Sequence, residues 1–554
     1  MLGPRAPTAK SLESWVRSPI VAATPASRGT SPARALAALT VASRCDEPVP
    51  AELFDSAGVR SKLMPQSERA GTGIPGLDHV LAGGLPRDRI YLLQGDPGVG
   101  KTTIGLQFLM EGARHGERCL YVTLSETAAE IRGIVASHGW TLDGIDLVEL
   151  STIEPSTALE VENTLFEPSE VELHETTRHL LEHVERVNPS RVVFDSLSEL
   201  RLLAQSALRY RRQILGLKQY FTDKHTTVLL LDDRTSHPTD LQLQSLAHGV
   251  LHLDQIPPVY GEDRRRIRVL KLRGVKFRGG YHDFTIKSGG VEVYPRLIAA
   301  DHRVVAPMEQ VSTGVRELDA LVGGGLVRGT STLVLGPAGS GKSALAVQCA
   351  VASARRGEPA ALFVFDERVA TIYERSRSLG CDLEPLVAAG TLHITQIDPA
   401  EMSAGELTSR IQSLVEGRDI RFVVIDSLNG YLNAMPEEKQ LTIQLHEVLG
   451  YLGHKGVTSM LVMVQHGLLG SMQTPVDISY LADAVIVLRY FEAGGQIRKA
   501  ISTLKKRSGA HETKIRELSL DNRGIHVGEP LADFVGILTG VPTFTGDPRK
   551  LVDK

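Results

Sequence analysis

The strongest constraint on this chain is a pattern written twice in one register. Gly95-Asp96-Pro97-Gly98-Val99-Gly100-Lys101-Thr102 returns as Gly336-Pro337-Ala338-Gly339-Ser340-Gly341-Lys342-Ser343. Asp78 and Asp319, Lys101 and Lys342, and Glu126 and Glu367 are each 241 residues apart. Chance copies of a short motif do not keep their flanks aligned, so a constant offset over this span marks a tandem duplication. The flanks agree: Thr72-Gly73-Ile74-Pro75-Gly76-Leu77-Asp78 answers to Thr313-Gly314-Val315-Arg316-Glu317-Leu318-Asp319.

So long a unit excludes short solenoid repeats, and apolar runs alternating with helical stretches point to an α/β sheet. The first copy predicts strands at Cys119–Thr123, Arg191–Phe194 and Thr227–Leu231, with a helix near Tyr210–Tyr220. The second predicts Ala361–Phe365, Phe422–Ile425 and Ser459–Val464. Runs this short and this apolar suit parallel strands buried on both faces. The expected fold is therefore two tandem P-loop domains, each a mostly parallel sheet flanked by helices. A chain of 554 residues is too long for one core, and the expected division is a leader at 1–68, domains at 69–300 and 301–543, and a short tail at 544–554. The leader lacks periodicity and is read as disordered. Its first 44 residues superficially resemble a transit peptide, but a flexible leader is the preferred reading.

The net charge of −4 argues against a dedicated nucleic-acid binder, which normally carries a basic face. Cys45, Cys119, Cys349 and Cys381 stand singly, with no pair at metal spacing. Reduced structural thiols in a cytoplasmic protein are expected. No run of about eighteen apolar residues suggests a membrane span.

The repeated motif is G-x-x-x-x-G-K-[ST], whose glycines turn backbone N–H groups around phosphate oxygens. Gly95, Gly98, Gly100, Gly336, Gly339 and Gly341 form the two cradles, with Thr103 beside the first. Lys101 and Lys342 supply charge near the β and γ phosphates, and Thr102 and Ser343 offer hydroxyls to Mg²⁺. ATP and Mg²⁺ are thus the expected cofactors. Asp195 and Asp426 each end an apolar strand, as the second Mg²⁺ anchor of such a site does. Alone, an Asp there is an ordinary helix N-cap; twice, downstream of a phosphate loop, it favours the metal role. Glu126 and Glu367 each follow the loop lysine by 25 residues, placed to polarise a water or hydroxyl facing the γ-phosphate. The competing reading, a solvated loop acid, is weakened by the register.

These residues resemble the KaiC family, the circadian clock ATPases and their bacterial homologues, over about Thr72–Thr543. The resemblance is carried by the phosphate loops, the two Asp-Ser-Leu strand ends, Lys271-Leu272-Arg273-Gly274, and Ile478-Ser479-Tyr480-Leu481-Ala482-Asp483-Ala484-Val485-Ile486-Val487-Leu488. It implies two RecA-like domains stacked as rings of a homo-hexamer, with ATP at subunit interfaces. It also implies a second domain that phosphorylates its own Ser and Thr. By the same resemblance, Lys271 with Arg273 and Lys505 with Arg507 are the basic pairs that reach a neighbour's ATP.

Three departures qualify the likeness. Where the family has paired glutamates, this chain has Ser125-Glu126 and Asp366-Glu367, so Asp366 carries the charge of the family's base with one methylene less reach. Of the adjacent acceptors only Ser479 is retained, since Tyr480 replaces the threonine. Eleven residues follow Thr543, fewer than the tail by which the clock protein engages its regulator. The expected function is a Mg²⁺-dependent ATPase and serine/threonine autokinase acting as a regulatory or signalling hexamer, with regulatory protein partners. An ATP-gated scaffold with little catalysis is one alternative, to be recognised by loop-lysine variants that lose the oligomer but not phosphate release. A RecA- or RadA-like DNA motor is the other, with DNA-stimulated turnover as its mark. The run Arg264-Arg265-Arg266-Ile267-Arg268 is read as a solvated edge or turn, and His466 and His511 as no metal site. Trp140 and Cys381, at equivalent repeat positions, are read as packing residues.

Overall fold

The protein is described from a computed structural model covering residues 68–150, 168–233, 241–258, 260–304, 307–433, 438–465, 479–539 and 541–546. The expected disorder of the leader, Cys45, His466 and most of the tail lie outside these residues.

Each repeat builds one nine-stranded sheet. In the first the strand order is Gly290–Tyr294, Tyr281–Lys287, Arg264–Leu272, Gly249–Ile256, Ile90–Gly95, Thr227–Asp233, Arg191–Asp195, Cys119–Thr123, Ile145–Glu149. The second, read from the opposite edge, is Gly524–Pro530, Arg516–Asp521, Gln496–Lys506, Ala484–Ala493, Ser331–Gly336, Thr458–Val464, Phe422–Asp426, Ala360–Val364, Leu392–Gln396. The strand leading into each phosphate loop is central and pairs in parallel on both sides, with every residue buried. The remaining three strands continue each sheet as an antiparallel extension.

Alternation along a strand sends successive side chains to opposite faces. Tyr91 and Leu93 accordingly join one core with Ile104, Phe108 and Leu109 of the helix Lys101–Arg114. Ile90 and Leu92 join the other core. There the helix Ala207–Asp223 contributes Tyr210, Ile214, Leu217 and Phe221 at helical spacing. The predicted parallel strands are all present, Cys119–Thr123 with the expected bounds and the other five shifted by one or two residues at one or both ends. Two expectations change. The strand Thr227–Asp233 runs two residues past Leu231, and the strand Arg264–Leu272 is internal to its sheet rather than a solvated edge. Arg266 instead stacks on the Tyr281 ring at 4.4 Å, and Arg264 donates to the carbonyls of Pro399 and Ala400 in the second repeat.

Other bonds cross the same junction: Gly405 N donates to Asp283, Lys287 pairs with Glu406 at 3.1 Å, and Ala299 N donates to Glu447. A cavity of about 430 Å³ opens here between His79, Arg278, Glu292, His302 and Gln412, away from both phosphate loops. Cys119, Cys349 and Cys381 are free and buried. Burial pushes the Cys119 and Cys349 thiols up to about 12, which keeps them unreactive. Trp140 stacks on His138 and packs against the first core. Among the described residues no helix is long and apolar enough to cross a membrane.

Candidate functional site

Each phosphate loop joins the C-terminal end of a buried strand to the N-terminus of a fourteen-residue helix. Gly100 and Gly341 sit at that helix start with φ of 107° and 104°, values an L side chain rarely adopts. A Cβ on Gly100 would also lie 2.6 Å from Ile286. The first helical amides are thereby left facing the loop, which suits an anion. Gly95 and Gly336 end their strands, Gly98 and Gly339 have φ of 78° and 75°, and Thr103 is buried in the first turn.

In the first repeat Lys101 Nζ donates to the carbonyls of Gly95 and Asp96, both at 2.9 Å, and pairs with Asp233 at 2.7 Å. Thr102 Oγ1 and the Tyr121 hydroxyl donate to Asp195 Oδ2 at 2.9 and 2.6 Å. Burial pushes the Asp195 carboxyl up, against the pull of Tyr121, Thr102 and Lys101. Glu126 follows the strand Cys119–Thr123, with its amide held by Thr123 Oγ1. Its Oε2 is buried without a hydrogen-bond partner among the described residues. Burial, then the charges of Asp195, Glu130 and Asp233, raise its pKa.

The second repeat keeps the frame and changes the partners. Lys342 Nζ donates to the Pro337 carbonyl at 2.7 Å, and the Ser343 hydroxyl bonds Asp426, whose pKa burial raises. Asp366 accepts a bond from Ser427, and both oxygens of Glu367 accept from Arg375 at 2.5 Å. Both Asp-Ser bonds, at 195–196 and 426–427, are cis. The hydroxyl–carboxylate pairs Thr102–Asp195 and Ser343–Asp426 suit Mg²⁺, a hard cation that takes one or two carboxylates and completes its shell with substrate phosphates and water. Among the described residues no group of three or more His, Cys, Asp or Glu side chains is placed to hold a metal ion.

Burial lowers the Lys342 ammonium to about 8. A lysine depressed in the fold is a liability below about 8; the cost shrinks as pH rises and vanishes above 10.5. Allowing for solvent screening, it amounts to about 2–3 kcal/mol at pH 7. Lys342→Met should therefore stabilise the nucleotide-free second domain by about that much at pH 7 and by almost nothing at pH 11. Denaturant unfolding at the two pH values checks this; equal gains at both refute it.

The basic pairs lie elsewhere. Lys271 is beside Val250, which is beside Leu92, three residues short of Gly95 on the loop strand. That separation is about 10 Å along the sheet, and Arg273 lies further still from the loop. Lys271 donates to the Gln244 carbonyl and Arg273 to that of Ser245. The second repeat repeats the clasp: Lys505 donates to the carbonyls of Ser479 and Ala482, and Arg507 to that of Tyr480. Ser479 therefore stands where Gln244 stands, beside its basic pair and at the opposite end of the sheet from its own phosphate loop.

Three residues at these sites escaped the sequence reading: Asp233, Tyr121 and Arg375. The doublet Asp232-Asp233 just past an apolar run was a usable signal for the first. Arg375, eight residues after Glu367 on the next helix, was a weaker one.

A family model described as "ATPase: KaiC" matches residues 70–298 and 311–532. Curated relatives include "Circadian clock protein KaiC3" of Synechocystis sp., 26% identical over 86% of this chain and 95% of its own length. "Circadian clock protein KaiC2" of the same organism is 29% identical over 85% of this chain and 83% of its own. "Circadian clock oscillator protein KaiC" of Parathermosynechococcus lividus is 28% identical, covering 85% of this chain and 87% of that protein.

Proposed function

The chain belongs to the KaiC family of ATPases, and from that premise we propose that it works as a Mg²⁺-dependent hexamer that hydrolyses ATP in its first ring and phosphorylates Ser479 from its second. One observation carries this reading. Both basic pairs lie three or more residues back along the sheet from the phosphate loop of their own repeat, with Ser479 bonded beside the second pair, a placement that supports their meeting a γ-phosphate presented by a neighbouring subunit. Lys271 with Arg273, and Lys505 with Arg507, then neutralise charge on the phosphoryl group across the interface.

Thr102 with Asp195, and Ser343 with Asp426, would hold Mg²⁺, which would supply positive charge against the phosphates. In the first ring Glu126 accepts a proton from the attacking water. In the second, the Ser479 hydroxyl of one subunit attacks the γ-phosphorus bound by the next. Its proton passes to that neighbour's Asp366 carboxylate, a new O–P bond forms, and the bond to the β-phosphate oxygen breaks, releasing ADP. Asp366 is supported in this role by its position beside Asp426, where Ser427 already hydrogen-bonds it. The buried free thiols support a reducing, cytoplasmic setting.

Incubation with γ-labelled ATP and Mg²⁺, followed by mapping of the label, tests the kinase half. Label on Ser479 that disappears in Ser479→Ala is expected; label that is absent, or unchanged by Ser479→Ala, refutes it and leaves the ATPase standing.

A further inference from the structure

At the same strand register the two repeats differ beside their loop lysines. Gly95 is paired with Asp233, and the matching Gly336 with Val464. One position earlier, Gln94 pairs with Asp232 where Leu335 pairs with Met463. The first repeat thus puts two acids, and the second two apolar residues, at the strand end that borders the phosphate loop.

The acids point opposite ways, as strand alternation requires. Asp232 is buried and held by Arg201 at 2.9 and 3.1 Å and by Gln94 at 3.0 Å. Gln94 in turn accepts from Gln244, whose carbonyl receives Lys271. Leu432 stands at the place of Arg201 in the second repeat, so this chain of polar contacts belongs to the first repeat alone. Its mechanical effect is to fix the strand end, and with it Asp233. Asp233 Oδ1 lies 2.7 Å from the Lys101 ammonium, which is only 7% exposed, and its other oxygen accepts from Ser198 at 3.4 Å. Lys342 has the Pro337 carbonyl and no carboxylate within ion-pairing distance among the described residues.

We propose that Asp233 is a positioning residue of the first site: it holds Lys101 as an internal counter-ion, and an incoming nucleotide must take the lysine from it. The proposal rests on reading both loops as ATP sites. A triphosphate and a carboxylate compete for one ammonium, and the carboxylate also repels phosphate from the same space. The first site therefore binds nucleotide more weakly than the second, and binding exchanges one buried anion for another. Once Lys101 turns to phosphate, Asp233 is released at the end of a strand whose preceding residue, Asp232, is hydrogen-bonded through Gln94 and Gln244 to Lys271.

A fluorescent ATP analogue with Mg²⁺, titrated into the full-length protein, reads each site by itself when the other loop lysine is replaced. In a Lys342→Ala background, Asp233→Asn should tighten binding at least tenfold, equivalent to about 1.4 kcal/mol, while Asp233→Glu keeps the parental affinity. In a Lys101→Ala background, Val464→Asp should transplant the latch and weaken binding at least tenfold. A merely structural acid gives the opposite sign, because losing a buried ion pair loosens the site. Unchanged or weaker binding in a folded Asp233→Asn protein overturns the proposal. Should that variant not fold, unchanged binding in Val464→Asp overturns it by itself. If neither single-lysine background binds the analogue, the reading of the loops as ATP sites fails first, and that result is distinct from the other two.

Discussion

Glu126→Gln should lower phosphate release from the first site by about 10²- to 10⁴-fold, the range lost with a general base, while nucleotide binding is retained. The size of the effect follows from what each glutamate touches. Glu126 Oε2 is buried with no hydrogen-bond partner among the described residues, so the group is free to accept a proton. Burial and the charges of Asp195, Glu130 and Asp233 raise its affinity for one, which brings a carboxylate nearer to a working base at neutral pH. Glu367, its counterpart, is gripped on both oxygens by Arg375. Ile134 occupies the place of Arg375 in the first repeat, so Glu126 has no such clamp. Glu367→Gln should accordingly change phosphate release far less. Single-turnover release measured from pH 5 to 9 checks both statements. The acid limb should lie above the ordinary carboxylate range in the parent and disappear in Glu126→Gln. Equal losses in the two variants contradict the division of labour between the sites.

That division was only partly legible in the sequence. The phosphate loops, the strand-end acids and the two sheets could be read because each depends on local residue type or on strands buried on both faces. Glu126 and Glu367 looked equivalent for the same reason: their equivalence is local, whereas their difference lies in Arg375, one helix away. Asp233 was missed because the apolar run ends at Leu231, yet pairing with Gln94 and Gly95 carries the strand two residues further. Acids at that position are stable only because Arg201, Gln94 and Lys101 converge there, and the three come from separate parts of the chain. The basic pairs were legible only through the resemblance to the KaiC family. That their targets are carbonyls of the segment carrying Gln244 or Ser479 required the antiparallel strands, which bring Leu272 back beside Gly249 and Lys505 beside Val485.

A second large effect should appear in stability: Glu117→Gln should cost about 3–5 kcal/mol, the usual penalty for stranding a buried charge. Arg191 begins the internal strand Arg191–Asp195 and is 1% exposed. It binds Glu117 through two nitrogens at 2.7 and 3.1 Å and also donates to the carbonyls of Gly71 and Phe108. Arg87 reaches the same carboxylate at 2.7 Å. Burial alone would raise the Glu117 pKa, but the bonds from Arg191 and Arg87 outweigh it and bring it down to about 2. For a carboxylate depressed in this way the stabilisation is complete above the unfolded value of 4.5 and is lost as pH falls towards 2. The second repeat keeps the outer half of the arrangement as Arg328 with Glu358, but puts Phe422 where Arg191 stands. An apolar residue is therefore compatible with this position in the fold, and a neutral pair should be tolerated better than a broken one. The double variant Glu117→Gln/Arg191→Phe should recover part of the stability lost in Glu117→Gln. Denaturant unfolding at pH 7 decides the matter: a double variant less stable than the single one would show that Arg191 serves chiefly through its bonds to Gly71 and Phe108, not as the charge that Glu117 neutralises.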